Sequence, residues 1–167
     1  GYSLNSQKKT VKLEAGKTTQ VAFSNTAKPG LQIYKTDEVT KEPLANAKFK
    51  ITKADGATIG EYITDAQGRI FVGDLDAGVY TISETEAPSG YLLDPQSKNV
   101  TLEPGKTAYA AFTNRGKPEL TLRKVDEMTR SPLSGAVFRV QMQGGKDLGS
   151  FTSDKNGLIE LGKVEPG

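Results

Sequence analysis

The chain has 167 residues, 35% of them hydrophobic and 18 of them glycine, a globular composition that excludes a disordered chain. Its 22 basic and 20 acidic side chains leave a net charge of +2, without the clustered base that a nucleic-acid or membrane-surface partner requires. With no Cys and no His, the chain cannot build Ser-His or Cys-His nucleophiles or the usual zinc sites. No phosphate-loop motif, membrane-length apolar run or signal peptide occurs, and neither a cofactor nor a metal is expected.

Taken in chain order, the first segment is GYSLNSQKKTVKLEAGKTTQVAFSN. It returns as GYLLDPQSKNVTLEPGKTAYAAFTN from Gly90, an offset of 89 residues. The same offset aligns LQIYKTDEVTKEPLANAKF from Leu31 with LTLRKVDEMTRSPLSGAVF from Leu120, TDAQG at Thr64 with SDKNG at Ser153, and Gly78 with Gly167. Of the 78 residue pairs it aligns, 32 are identical, which identifies a tandem array. Residues 1–28 read as the C-terminal part of a preceding repeat, 30–115 as a complete repeat and 119–167 as the N-terminal part of a following one. Lys8, Lys9, Lys12 and Lys17 of the first segment read as a solvated face. Short Pro-containing linkers, AKPG (Ala27 to Gly30) and RGKPE (Arg115 to Glu119), separate the parts.

Within the complete repeat, alternating apolar runs predict strands at Leu31 to Thr36, Ala47 to Lys53, Thr58 to Thr64, Arg69 to Val72, Val79 to Glu84, Asn99 to Leu102 and Thr107 to Asn114. Turn residues divide them: ADG at Ala54, DAQG at Asp65, DAG at Asp76, APSG at Ala87 and EPG at Glu103. DAQG and DKNG carry fragments of a calcium loop but lack its ligand spacing and final Glu, so they read as turns. With no helical period, the pattern predicts an all-β, immunoglobulin-like sandwich in tandem repeats. Tyr62 and Tyr109 fall at exposed parity, where surface aromatics can stack on a sugar or protein ligand or simply stand in solvent.

Strand parity singles out three polar residues. Lys35 continues the apolar face of Leu31 and Ile33, Glu84 that of Tyr80 and Ile82, and Asn114 that of Ala108, Ala110 and Phe112. An apolar pocket drives an amine and a carboxyl toward their neutral forms. A neutral amine is a nucleophile, and a protonated carboxyl can polarise an amide carbonyl. Lys35, Glu84 and Asn114 are therefore the parts of an intramolecular amidation, with Lys attacking the Asn side-chain carbonyl, Glu polarising it and shuttling protons, and ammonia leaving. Each of the three alone also fits a solvated residue at a strand end.

The segment YTISETEAPSGY, Tyr80 to Tyr91, resembles the E-box of B-type repeats in Gram-positive surface proteins of the collagen-adhesin and pilin kind. Its acidic residue and Thr followed by Ala-Pro-x-Gly-Tyr are Glu84, Thr85, Ala87, Pro88, Gly90 and Tyr91. Lys35-Thr36-Asp37 and Phe112-Thr113-Asn114 are similar to the family's first and last strands. The resemblance implies a prealbumin-like sandwich with a spontaneous Lys35–Asn114 isopeptide bond assisted by Glu84. Asn25 and Lys124 match Asn114 and Lys35 as unpaired half-sites, expected to be unbonded because each lacks its own Glu and partner.

The function these readings imply is a non-enzymatic stalk or shaft repeat of a cell-wall-anchored extracellular adhesin or pilus protein. Its partners would be neighbouring repeats, with a host protein or glycan reached through another domain. The alternatives are a repeat that binds a host ligand directly and an accessory domain of a secreted enzyme.

Overall fold

A computed structural model describes residues 1–166. The alignment of Gly78 with Gly167 lies outside the described residues. The chain divides into two compact units, Gly1–Arg115 and Gly116–Gly167.

The first unit holds seven strands: β1 (Gly30–Asp37), β2 (Lys48–Lys53), β3 (Thr58–Ile63), β4 (Arg69–Val72), β5 (Gly78–Glu86), β6 (Lys98–Leu102) and β7 (Thr107–Asn114). Each falls within two residues of its predicted run, because alternation and turn chemistry both act locally. The strands form two sheets, ordered β4-β1-β7 and β3-β2-β5-β6. β1 pairs with β4 antiparallel and with β7 parallel, in a register that sets Lys35 opposite Phe112 and Asp37 opposite Asn114. Inward side chains of both sheets fill the core: Leu31, Ile33, Ile70, Ala110 and Phe112 from one, Phe49, Ile51, Tyr80, Ile82 and Leu102 from the other. The Phe49 and Phe112 rings meet across it with centroids 4.9 Å apart. At β3 the inward position belongs to Tyr62, which is half-buried against the core while Ile63 is exposed. The expected outward Tyr62 is thus corrected: a shift in the β2–β3 register between Ile51 and Thr52 breaks the simple alternation.

Residues 1–28 belong to the same unit but form no strand. They fold back on themselves with contacts that recur 89 residues on. Lys9 Nζ donates to the Ala22 carbonyl at 2.5 Å as Lys98 Nζ does to Ala111, and Lys17 N–H donates to Glu14 as Lys106 does to Glu103. Lys8, Lys9, Lys12 and Lys17 are all exposed.

In the second unit β8 (Glu119–Arg123), β9 (Val137–Gln141), β10 (Asp147–Thr152) and β11 (Leu158–Lys163) follow the starts of β1 to β4 at the same spacing of 89. They pair as β11-β8 and β10-β9. Leu120, Leu122, Phe138 and Val140 are only half-buried here, whereas their counterparts Leu31, Ile33, Phe49 and Ile51 are fully enclosed. Among the described residues of the second unit there is no strand corresponding to β5, β6 or β7 to cover them.

Two glycines close the turns after β3 and β10. Gly68 (φ 68°) and Gly157 (φ 71°) sit in the left-handed region. A Cβ there would lie 2.3 Å from the Lys35 carbonyl or 2.2 Å from the Lys124 carbonyl. The Asp65 and Asp154 carboxylates of these turns accept two backbone N–H groups each, from Gln67 and Arg69 and from Asn156 and Leu158.

Candidate functional site

β1, β5 and β7 bring Lys35, Glu84 and Asn114 together at one end of the first unit's core, with 0%, 6% and 2% of their surface exposed. Lys35 comes from the inward row of β1 and Asn114 from that of β7, strands made neighbours by parallel pairing. Glu84 comes from β5 in the opposite sheet, where it pairs with Phe49. Phe49 walls the cluster, its ring centroid 5.9 Å from Lys35 Nζ.

Lys35 Nζ lies 3.3 Å from Glu84 Oε1, in ion-pair range but without hydrogen-bond geometry. Glu84 Oε2 accepts from Asn114 Nδ2 at 2.8 Å and from the Asp94 backbone N–H at 3.1 Å. Asn114 Nδ2 also donates to the Leu92 carbonyl at 2.6 Å. Among the described residues, the buried side-chain polar atoms without a hydrogen bond are Lys35 Nζ, Glu84 Oε1 and Asn114 Oδ1. Native interiors rarely leave such atoms unpaired, and each instance calls for an explanation. Burial pushes the Lys35 amine below its ordinary value of 10.5, with the nearby carboxylates of Glu84 and Asp94 pulling partly back. A lowered amine is a better nucleophile near neutrality.

One detail differs from the sequence reading. Glu84 faces the nitrogen of the Asn114 amide rather than its carbonyl oxygen. The Leu92 carbonyl accounts for this, since two acceptors on the same side require the N–H₂ end.

In the segment joining β5 to β6 the sequence marks the turn and motif from Ala87 to Tyr91, but not Leu92 and Asp94, which act through backbone groups. The motif Ala87-Pro88-Ser89-Gly90-Tyr91 turns the chain, with Gly90 at φ 82° and Tyr91 N–H donating to the Pro88 carbonyl at 3.1 Å. Leu92 N–H then donates to the Arg115 carbonyl at 2.9 Å, so the segment is held to the end of β7. The Tyr91 hydroxyl hydrogen-bonds Asp37, whose carboxyl is held below its ordinary value chiefly by the Thr40 and Val39 N–H groups. A surface cavity of about 350 Å³ borders the cluster, lined in part by Leu92, Asp94, Asn114 and Arg115.

Asn25 and Lys124 are both exposed, and the chain holds no counterpart of Glu84 for either. Tyr109 is 66% exposed and stacks on Tyr34 with ring centroids 6.3 Å apart. Among the described residues no group of three or more carboxylates is placed to hold a metal ion.

The family profile of the SpaA prealbumin-like fold domain matches residues 29–116 and 118–167. The chain is 36% identical over 100 residues to the collagen adhesin of Staphylococcus aureus, a stretch covering 56% of this chain and 8% of that protein. Among solved structures it is similar to the TIE protein of Bacillus anthracis (TM-score 0.53, 28% identity), covering 81% of this chain and 26% of the other. The shaft pilin SpaA from Lactobacillus rhamnosus GG, in a variant form, shares the fold at TM-score 0.55 and 18% identity over 84% of each chain. The chain thus spans a small part of the collagen adhesin and about a quarter of the TIE protein.

Proposed function

The chain belongs to the SpaA prealbumin-like family of Gram-positive surface repeats, and from that premise we propose that residues 30–115 act as a stalk or shaft repeat, tied end to end by a self-formed Lys35–Asn114 isopeptide bond assisted by Glu84. The observation that carries this reading is the set of three buried polar atoms without a hydrogen bond, gathered at one place with Lys35 Nζ 3.3 Å from Glu84 Oε1. Lys35 Nζ is the nucleophile an amidation needs, Glu84 Oε1 is placed to take its proton, and Asn114 Oδ1 belongs to the acyl group attacked and stays on the new amide, so the chemistry gives each of the three atoms a part. The reaction is a single intramolecular turnover, so the repeat is not an enzyme.

The bond would join β1 to β7 and close a loop of about 80 residues, worth roughly 4.5 kcal/mol on the chain-entropy estimate for cross-links. A role in holding neighbouring repeats in series fits the recurrence of 89 residues. It also fits a Gram-positive cell surface as the location, with cell-wall anchoring supplied elsewhere in the protein and a host protein or glycan bound by another domain. Residues 1–28 and 119–167 would then complete their own repeats with further sequence on either side.

Intact mass of the folded chain tests the reading. The expected result is a deficit of one ammonia, lost in each of Lys35→Ala, Glu84→Ala and Asn114→Ala. A folded wild-type chain with its full sequence mass would falsify the bond.

A second reading, direct ligand binding by this repeat, draws on the exposed aromatic face of the β4-β1-β7 sheet, where Tyr34, Tyr109 and Phe71 stand in solvent. Saturable host-ligand binding by the isolated chain, lost in Tyr34→Ala/Tyr109→Ala, would favour it over the stalk.

A further inference from the structure

The isopeptide reading leaves open what the site demands of its acyl partner, and the surroundings of Asn114 answer that. Nδ2 lies between two acceptors, Glu84 Oε2 at 2.8 Å and the Leu92 carbonyl at 2.6 Å. Both acceptors are fixed: Glu84 Oε2 by the Asp94 N–H, and Leu92 by its own N–H on the Arg115 carbonyl. We propose that Leu92 and Glu84 form a leaving-group cradle that makes the site selective for a carboxamide at position 114, holding its nitrogen for departure as ammonia and rejecting a carboxylate.

This inference rests on the isopeptide reading, and the chemistry balances as follows. Lys35 gives one proton to Glu84 Oε1, and Nζ attacks Asn114 Cγ. A second Nζ proton passes by way of Glu84 to Nδ2. The Cγ–Nδ2 bond breaks, leaving a secondary amide, one ammonia and a protonated Glu84. Asn114 itself lines the cavity together with Leu92, Asp94 and Arg115, which offers ammonia a way out. No step requires an ion from solvent, because Lys35, Glu84 and Asn114 together carry no net charge.

A carboxylate at position 114 changes both terms. Its oxygen would face two acceptors at hydrogen-bond distance, and the buried cluster would carry a net negative charge. Only uptake of a proton restores a donor and neutrality. The charged groups around the position are Lys35 and Asp37 on β1, Glu38 beyond it, Glu84 on β5, Asp94 in the β5–β6 connection, Lys98 on β6 and Arg115 beyond β7. Asp37 is already committed to the Thr40 and Val39 N–H groups, and Glu38 to Arg115 at 2.7 Å.

The test uses the full 167-residue chain. Asn114→Asp, made and kept at about pH 8, is expected at its full sequence mass. Moved to about pH 5, it should lose one water at least about tenfold faster, the acid-dependence that carboxyl protonation imposes. Wild type carries its ammonia deficit at either pH. Complete loss of water by the variant at pH 8, or a folded variant that stays unbonded at both, overturns the cradle while leaving the isopeptide reading intact. A wild type without its deficit overturns the isopeptide reading instead.

A second arm does not depend on the variant's folding. In Lys35→Met, where no bond can form, both Asn114 side-chain N–H protons should exchange far more slowly than those of an exposed Asn. Exchange at the exposed rate overturns the cradle.

Discussion

At the scale of single residues, the site joins side chains that the sequence announces to backbone groups that it does not. Lys35, Glu84 and Asn114 were legible because a charged or amide side chain on an apolar strand face breaks the alternation that a core demands. The Leu92 carbonyl and Asp94 N–H were illegible because every residue carries those groups, and only the folded path of the chain aims them. The buried Lys35 amine has a consequence for pH. In Asn114→Ala, which keeps the amine but cannot bond, the folded chain sheds the Lys35 proton at lower pH than the unfolded chain does. Between that depressed value and 10.5 the unfolded state binds more protons, so stability should rise as pH rises through this window. Denaturant unfolding at stepped pH checks this: the rise should be present in Asn114→Ala and absent from Lys35→Met/Asn114→Ala. An equal slope in both would remove the buried amine as its source.

At the scale of elements, the seven strands could be read from period and turn chemistry, but their partners could not. Parallel pairing of β1 with β7 joins segments more than seventy residues apart, and nothing local in either strand specifies it. Residues 1–28 make the same point from the other side. They align with β6 and β7 at the offset of 89 and share their turn and lysine contacts, yet they form no strand, because β6 and β7 are held in ladders by β5 and β1. Tyr62 shows how a single register shift defeats parity. The turn before β4 ties local geometry to the site, because Gly68 packs directly under the Lys35 carbonyl. Gly68→Ala should therefore cost more than about 1 kcal/mol in stability, from a side chain at positive φ and a clash with backbone. It should also displace β1 and slow bond formation, read as a bonded fraction below that of wild type in intact mass. Full bonding with unchanged stability would mean that β1 yields freely at this turn.

At the scale of the whole chain, the spacing of 89 recurs in contacts as well as in sequence. Each Pro-containing linker is fastened within its own unit by the same pair of interactions. Lys28 meets Asp76 at 3.1 Å and Lys117 meets Glu165 at 2.5 Å, while the Pro29 and Pro118 carbonyls accept from Leu75 and Val164 N–H. Tension applied along the chain would enter β1 just after the first linker and leave β7 just before the second. With a Lys35–Asn114 bond in place, that tension passes through one covalent bridge, and the strands between carry none of it. Single-molecule pulling on the full chain measures this directly. In Asn114→Ala, unfolding should release the segment between the two sites, about 80 residues at roughly 3.5 Å each, or near 280 Å of contour. In wild type that increment should be missing at any force that leaves covalent bonds whole. If the same increment appears in wild type, β1 and β7 are not tied, and the repeat resists force by its hydrogen bonds alone.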